Sequence, residues 1–308
     1  MTLRIGTRGS ALALWQAHHI RDRVRTLRPD TDVEIVVIRT TGDQILDRPL
    51  ADIGGKGLFV KEIEAALLDG SIDLAVHSLK DMPTEQPDGL VLDAFPTRAN
   101  PFDMLCCREA ITSVDDLPRG ARVGTGSARR GLQLQRQRPD ITIVPLRGNV
   151  QTRLDKRHND GLDAVILACA GLERLEMSEP GFSELPPSIV VPAPGQGALA
   201  IECREGDAAT RALLAELDCP ATRLATTMER ACLDEVGGDC HTPFAAWARR
   251  HGDQLELVAR LMTNGRFAEA RVTEPLYDDG RDLERVRAAG RSAGLQLLAQ
   301  HDPDGNAP

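Results

Sequence analysis

Apolar residues along the first hundred positions alternate between two spacings. Leu3 to Gly6 reads as a strand, and Ser10 then caps a helix whose apolar face runs through Ala13, Ala17, Ile20, Val24 and Leu27. Val33 to Ile38 is a β-branched strand, Phe59 to Leu68 a helix and Ile72 to Val76 a short buried strand. This βαβ rhythm predicts a largely parallel sheet with helices on its faces. The rhythm restarts near Pro101, with a strand ending at Arg122-Val-Gly, a helix over Ala128–Arg138 and a strand over Ile141–Leu146. A helix over Val150–Asn159 and a strand over Ala164–Ala168 complete it. Leu185 to Pro194 reads as an extended connection, and Gly197 to Glu202 as a strand returning to the first sheet.

From about Pro220 the texture changes. A helix over Thr222–Val236 precedes three strand candidates, Phe244–Ala248, Gln254–Met262 and Arg266–Thr273, and a last helix over Leu283–Ala299. The expected fold is therefore α/β: two lobes crossed by two segments around a hinged cleft, plus a small C-terminal α+β domain. Its domains are 1–99 with 198–216, 100–197 and 217–300, with 301–308 as a tail. Such folds place ligands beyond the carboxyl ends of their strands.

Composition narrows the chemistry. The 308 residues carry a net charge of −9, yet Arg119 to Arg157 holds ten cations, nine of them arginine, against only Asp140 and Asp155. Arginine grips carboxylate or phosphate with a fixed fork of donors, so an anionic ligand is expected. Aromatics make up 3% of the chain, which with the acidic balance argues against nucleic acid. The N-terminus has no apolar signal core, and no apolar run approaches a membrane span. Seven cysteines without Cys-x-x-Cys spacing form neither a disulfide framework nor a zinc site, so no metal is expected and the protein reads as cytoplasmic.

Four motifs stand at strand ends or in loops. Gly54-Gly55-Lys56-Gly57 lacks the first glycine and the Ser/Thr of a P-loop, and reads as a glycine loop carrying one cation. Gly124-Thr-Gly-Ser-Ala-Arg129-Arg130 follows a strand and opens a helix, but Arg129 occupies the third glycine position of a dinucleotide fingerprint. Helix-start amides, Thr125, Ser127 and two guanidiniums still make an anion pocket. Arg147-Gly-Asn-Val-Gln-Thr-Arg153 repeats the device on the next turn, whereas Arg136, Arg138, Lys156 and Arg157 read as solvated helix face. In His77-Ser-Leu-Lys80-Asp81 the adjacent charges form either an exposed pair worth at most about 1 kcal/mol or a strand-end acid at the cleft. Gly237-Gly-Asp-Cys240-His241 sets an accessible thiol in a glycine turn, whereas Cys106, Cys169 and Cys232 read as packed hydrophobes.

Taken in order, these segments resemble the porphobilinogen deaminase (hydroxymethylbilane synthase) family. The match runs through Ile5–Gln16, Gly54–Lys61, Ala75–Pro83, Val123–Arg130, Leu146–Val150, Pro194–Ala198 and the Cys240 loop, nearly the whole chain. The resemblance implies a transferase that joins four porphobilinogen molecules head to tail, releasing ammonia, to give hydroxymethylbilane. It implies two lobes like those of periplasmic binding proteins, and a dipyrromethane cofactor on a thioether to Cys240. It also implies that Asp81 assists protonation and stabilises the azafulvene cation left by ammonia loss. Arg8, Ser10, Lys56, Lys80, Thr125, Ser127, Arg129, Arg130, Arg147 and Arg153 are the implied binding residues for pyrrole carboxylates. Porphobilinogen is the implied partner of a monomer; a non-catalytic bilobed binder of a small polycarboxylate is the alternative. The chain departs from many relatives in three places: Asp239 precedes Cys240, Gly126 replaces a serine, and Thr40-Thr41-Gly42-Asp43 lacks a basic residue.

Overall fold

A computed structural model describes residues 2–44, 60–111, 113–238, 242–263, 265–278 and 280–301. The chain divides into two compact units, Met1–Ala99 with Ala198–Arg223 and Asn100–Gly197 with Leu224–Pro308.

The first unit begins with β1 (Thr2–Thr7), α1 (Ala11–Leu27), β2 (Asp32–Val37) and the single turn α2 (Thr41–Gln44). Next come α3 (Lys61–Leu68), β3 (Leu74–Ser78), a 3-10 turn over Leu79–Asp81 and β4 (Leu90–Ala94). Ser10 caps α1 as expected, its Oγ accepting from the amide of Ala13 at 3.3 Å. The buried face of α1 is Gln16, Ala17, Ile20 and Val24, the three-and-four spacing of an amphipathic helix. The returning strand, β10 (Leu199–Arg204), gives a sheet of order β2-β1-β3-β10-β4. The β1, β2 and β3 strands are parallel, but β10 runs antiparallel to both β3 and β4, so the sheet is mixed rather than largely parallel. Both faces are covered: Ile5, Ile20, Leu74 and Ile201 pack on one side, Ile63, Leu67 and Ile72 on the other.

The second unit repeats this plan. Strands β5 (Asp103–Cys107), β6 (Arg122–Thr125), β7 (Thr142–Pro145), β8 (Ala164–Ala168) and β9 (Phe182–Leu185) form a sheet of order β7-β6-β8-β5-β9. Again three strands are parallel, and β5 is antiparallel to its neighbours β8 and β9. Helix α4 (Ala128–Gln137) follows β6, α5 (Val150–Asn159) follows β7 and α6 (Cys169–Arg174) follows β8. Cys106, Cys169 and Cys232 are fully buried, and burial pushes the Cys106 and Cys232 thiols up to about 12.

Helices α7 (Ala208–Leu217) and α8 (Pro220–Glu235) follow β10, and the residues of α8 from Leu224 onward belong to the second unit. There the antiparallel meander β11 (Phe244–His251), β12 (Gln254–Leu261) and β13 (Ala268–Pro275) packs with α8 and α9 (Asp282–His301). Helix α9 passes so close to α8 that a Cβ at Gly290 would lie 2.3 Å from the Met228 carbonyl oxygen. Gly290→Ala is therefore expected to lower the unfolding free energy by about 1–3 kcal/mol, measured as a reduced urea midpoint. An unchanged midpoint would contradict this packing.

Candidate active site

In the first unit the expected site residues lie beyond the carboxyl ends of two adjacent parallel strands. Thr7 ends β1 and leads into half-buried Arg8 and Ser10; Ser78 ends β3 and leads into half-buried Lys80 and exposed Asp81. Ser10 spends its oxygen on the α1 cap, which fixes the start of that helix. The Asp81 turn is held from several sides. The Leu79 amide donates to the Ala198 carbonyl at 3.0 Å, and Gln16 Nε2 donates to Ser78 Oγ at 2.8 Å. One residue earlier, buried His77 Nε2 lies 3.0 Å from buried Glu202 Oε2, tying β3 to β10. Asp81 thus stands exposed on an anchored backbone.

In the second unit the two turns expected to bind anions leave the same end of adjacent parallel strands, β6 and β7. They also touch: a Cβ at Gly126 would sit 2.6 Å from the Leu146 carbonyl oxygen. That contact gives a steric reason for glycine at this departure from the family pattern. Buried Thr125 accepts the Ser127 amide on its Oγ1 at 3.2 Å, and half-buried Ser127 places its hydroxyl outside the cap bonding of α4. Asn149 caps α5 through the Thr152 amide at 2.8 Å. Arg147 and Arg153 are half-buried, and Arg153 Nε donates to the Gly148 carbonyl at 2.7 Å.

Arg129 and Arg130 are not on the surface: they are 4% and 5% exposed and share Asp103, which is 0% exposed. Arg129 Nη1 donates to Asp103 Oδ2 at 2.8 Å and to the Val191 carbonyl at 2.7 Å. Arg130 reaches Asp103 Oδ1 through Nε at 2.8 Å and Nη2 at 2.7 Å. Gln196 completes the shell, donating from Nε2 to Asp103 Oδ1 at 2.9 Å and accepting from Arg130 Nη2 at 3.3 Å. Burial alone opposes ionisation of Asp103, but the charges of Arg129 and then Arg130 hold its carboxyl far below the usual range. Burial lowers the Arg129 pKa, and Asp103 offsets part of that shift.

The sequence reading did not single out Asp103, which looks like an ordinary surface acid at the start of a short strand, or Gln196 as its amide partner. Nor did it single out Arg174, the last residue of α6; burial pushes it down to about 10, and its Nη2 donates to the Gly197 carbonyl at 2.8 Å. One expectation needs correction. Arg157, read as solvated, is 2% exposed: its Nη1 donates to the Cys107 carbonyl at 2.8 Å and its Nη2 pairs with Glu179. Arg138 is likewise anchored, to Asp140 and to the Val114 carbonyl. Lys56 and Cys240 lie outside the described residues. Among the described residues no cluster has the makings of a metal site, and no helix is long and apolar enough to cross a membrane.

Two mixed α/β sheets with arginine-bearing strand-to-helix turns, and a small α+β layer following them in sequence, define an α/β protein with a small C-terminal α+β part. Comparison with known proteins gives the particular family. Residues 3–212 match the porphobilinogen deaminase dipyrromethane cofactor-binding domain, and residues 223–299 the porphobilinogen deaminase C-terminal domain. The porphobilinogen deaminase of Syntrophotalea carbinolica is 52% identical over 83% of this chain and 81% of its own length. That of Syntrophus aciditrophicus is 45% identical over 98% of this chain and 99% of its own. Among solved structures, a Bordetella pertussis BvgS periplasmic VFT2 domain is similar at 18% identity and TM-score 0.40, covering 69% of this chain and 85% of that one. The chain belongs to the porphobilinogen deaminase family. It is a transferase that joins four porphobilinogen molecules head to tail, with loss of ammonia, to give hydroxymethylbilane in tetrapyrrole and haem biosynthesis. Its cofactor is dipyrromethane. The non-catalytic binding alternative is not favoured.

The residues present fit that cofactor. Two buried guanidiniums against one carboxylate leave positive charge in excess inside the protein, and an additional carboxylate balances it. Asp103→Asn would strand both guanidiniums, so unfolding free energy at pH 7 is expected to fall by about 3–5 kcal/mol in urea titration. Because the folded pKa is depressed, the Asp103 contribution is present above the unfolded value of about 4 and is lost as pH falls toward the folded value. The gap between wild type and variant should therefore shrink below about pH 4. A gap under about 1 kcal/mol at pH 7 would contradict this account.

Proposed function

We propose that Asp81 is the catalytic acid of this transferase, and that Cys240 carries the dipyrromethane through a thioether. Arg8, Ser10, Lys56, Lys80, Thr125, Ser127, Arg129, Arg130, Arg147 and Arg153 bind the acetate and propionate groups of cofactor and substrate. The observation that carries this reading is the pair Arg129 and Arg130, buried together on one carboxylate at the head of a helix. Buried donors that are already oriented bind an anion without first being ordered, and their low-dielectric setting strengthens each contact. When bound, the dipyrromethane supplies a nucleophilic pyrrole carbon and several carboxylates.

Asp81 is an accessible carboxylate, and that suits its part. It keeps the aminomethyl nitrogen of porphobilinogen protonated, so the carbon–nitrogen bond breaks with its electron pair leaving on neutral ammonia. The carbon left behind is cationic through conjugation with the pyrrole nitrogen, and ionised Asp81 stabilises that charge. The anchored backbone at Leu79 limits how far this carboxylate wanders between the two tasks. We further read the chain as a cytoplasmic monomer without nucleic-acid partners, organised as domains 1–99 with 198–216, 100–197 and 217–300. The acidic balance and the three separate sheets support that reading.

Asp81→Asn is expected to lower kcat by about a hundredfold or more while the covalent mass of two pyrrole units remains in an intact-protein mass spectrum. Near-normal turnover would remove Asp81 from the chemistry. Cys240→Ala should show the bare chain mass; retained pyrrole mass would move the attachment elsewhere.

A further inference from the structure

The Arg129 guanidinium is tied to the C-terminal sheet by a short hydrogen-bonded relay that none of the roles above uses. Gln133, 2% exposed and one helical turn after Arg129, makes four bonds. Its Nε2 donates to the Arg129 carbonyl at 3.2 Å and to the Val191 carbonyl at 3.1 Å. Its Oε1 accepts from the Val191 amide at 3.0 Å and from Arg260 Nη1 at 2.8 Å. The Val191 amide and the guanidinium can only donate, so the orientation of the Gln133 amide is fixed. The Val191 carbonyl is also the acceptor for Arg129 Nη1.

Arg260, 7% exposed on β12, is held in turn by Glu269 Oε2 at 2.8 Å and by the Ser188 and Ile189 carbonyls, each at 3.3 Å. Directly across the ladder from Arg260 is Ala245, near the start of β11, the strand that follows the Cys240 loop. The segment between the two anchors is stitched to the same sheet. The Ala246 amide donates to Pro192 at 3.0 Å, and Glu229 accepts from the Gly195 and Ala248 amides at 2.7 and 2.8 Å.

We propose that Arg260 and Gln133 are positioning residues that keep β11 and β12 in fixed register with Arg129. The inference rests on the reading of Cys240 as the thioether anchor and Arg129 as a carboxylate donor. On that reading one cofactor is gripped at both ends, and its span is fixed only if those ends cannot slide. A buried arginine whose Nε, Nη1 and Nη2 all donate, to a glutamine, a glutamate and two carbonyls, is a rigid strut. A misplacement of about 1 Å at a binding group is enough to weaken it severely.

The test uses Arg260→Met, Gln133→Met, the double variant and Arg129→Leu, each purified from cells that make porphobilinogen. Cofactor-bearing fraction is read by intact mass, KM and kcat by turnover, and melting temperature on the same samples. Each positioning variant is expected to lower the cofactor-bearing fraction and raise KM about tenfold, with kcat per cofactor-bearing molecule within about twofold. The double variant should match the worse single, because both residues belong to one relay. Variants that melt earlier yet load cofactor normally with unchanged KM would reduce the pair to a structural clamp and overturn the proposal. Multiplying effects in the double variant would overturn it too. If Arg260→Met does not fold, Arg260→Lys keeps the charge opposite Glu269 without the fork, and the same two readouts decide. Normal loading and KM in Arg129→Leu would instead overturn the reading of Arg129, separately from the relay.

Discussion

One carboxylate shared by two guanidiniums organises the second unit. Asp103 stands at the first position of β5, Arg129 and Arg130 open α4, and Gln196 comes from the Pro194–Gly197 turn; all four converge with almost no access to water. Burying such a group costs several kcal/mol per ion before any attraction is counted, and a packed apolar cluster would stabilise the fold at least as well. What the ion cluster provides is placement. Removing any one member leaves an uncompensated charge or an unpaired donor, so few alternative arrangements of strand, helix and turn are tolerated.

The same arrangement separates two electrostatic tasks. On the proposed roles, the buried cations Arg129 and Arg130 are fixed and dehydrated at the head of α4, whereas Asp81, the proposed acid, is exposed on a short 3-10 turn. An acid that must take up and release protons needs water within reach; a clamp for anions gains from its exclusion. The overall charge of −9 masks this local contrast, which is visible only when the arginines are followed along the sequence and then into the interior.

Much of the fold was legible because its elements are strongly periodic. The α5 and β8 bounds coincide with their sequence reading, and the return of β10 to the first sheet was also readable. Strands β4, β5 and β9 were not; β4 and β9 lie at sheet edges, where pairing rather than pattern defines them. The turns were legible as arginine-bearing strand-to-helix connections, but their wiring was not. Arg129 meets an aspartate 26 positions away and Arg260 a glutamine 127 positions away, and no local spacing encodes those distances. Arg157 was misjudged for the same reason: a charge run along a helix looks solvated until a distant carbonyl and Glu179 are brought against it.

The place of β10 between β3 and β4 has a consequence for how the chain is made. Residues 1–99 contain four of the five strands of the first sheet, yet the strand that joins β3 to β4 lies beyond Gly197. A nascent chain that has exposed its first hundred residues holds two sheet edges with an open slot between them. At about 5–20 residues per second, the missing strand follows about 5–20 s later. In that interval the second α/β sheet can assemble from residues already synthesised, so the inserted layer closes before the layer that encloses it in sequence. The first sheet is then completed after the second α/β sheet, and until β10 arrives its open slot leaves two strand edges available for pairing with another chain.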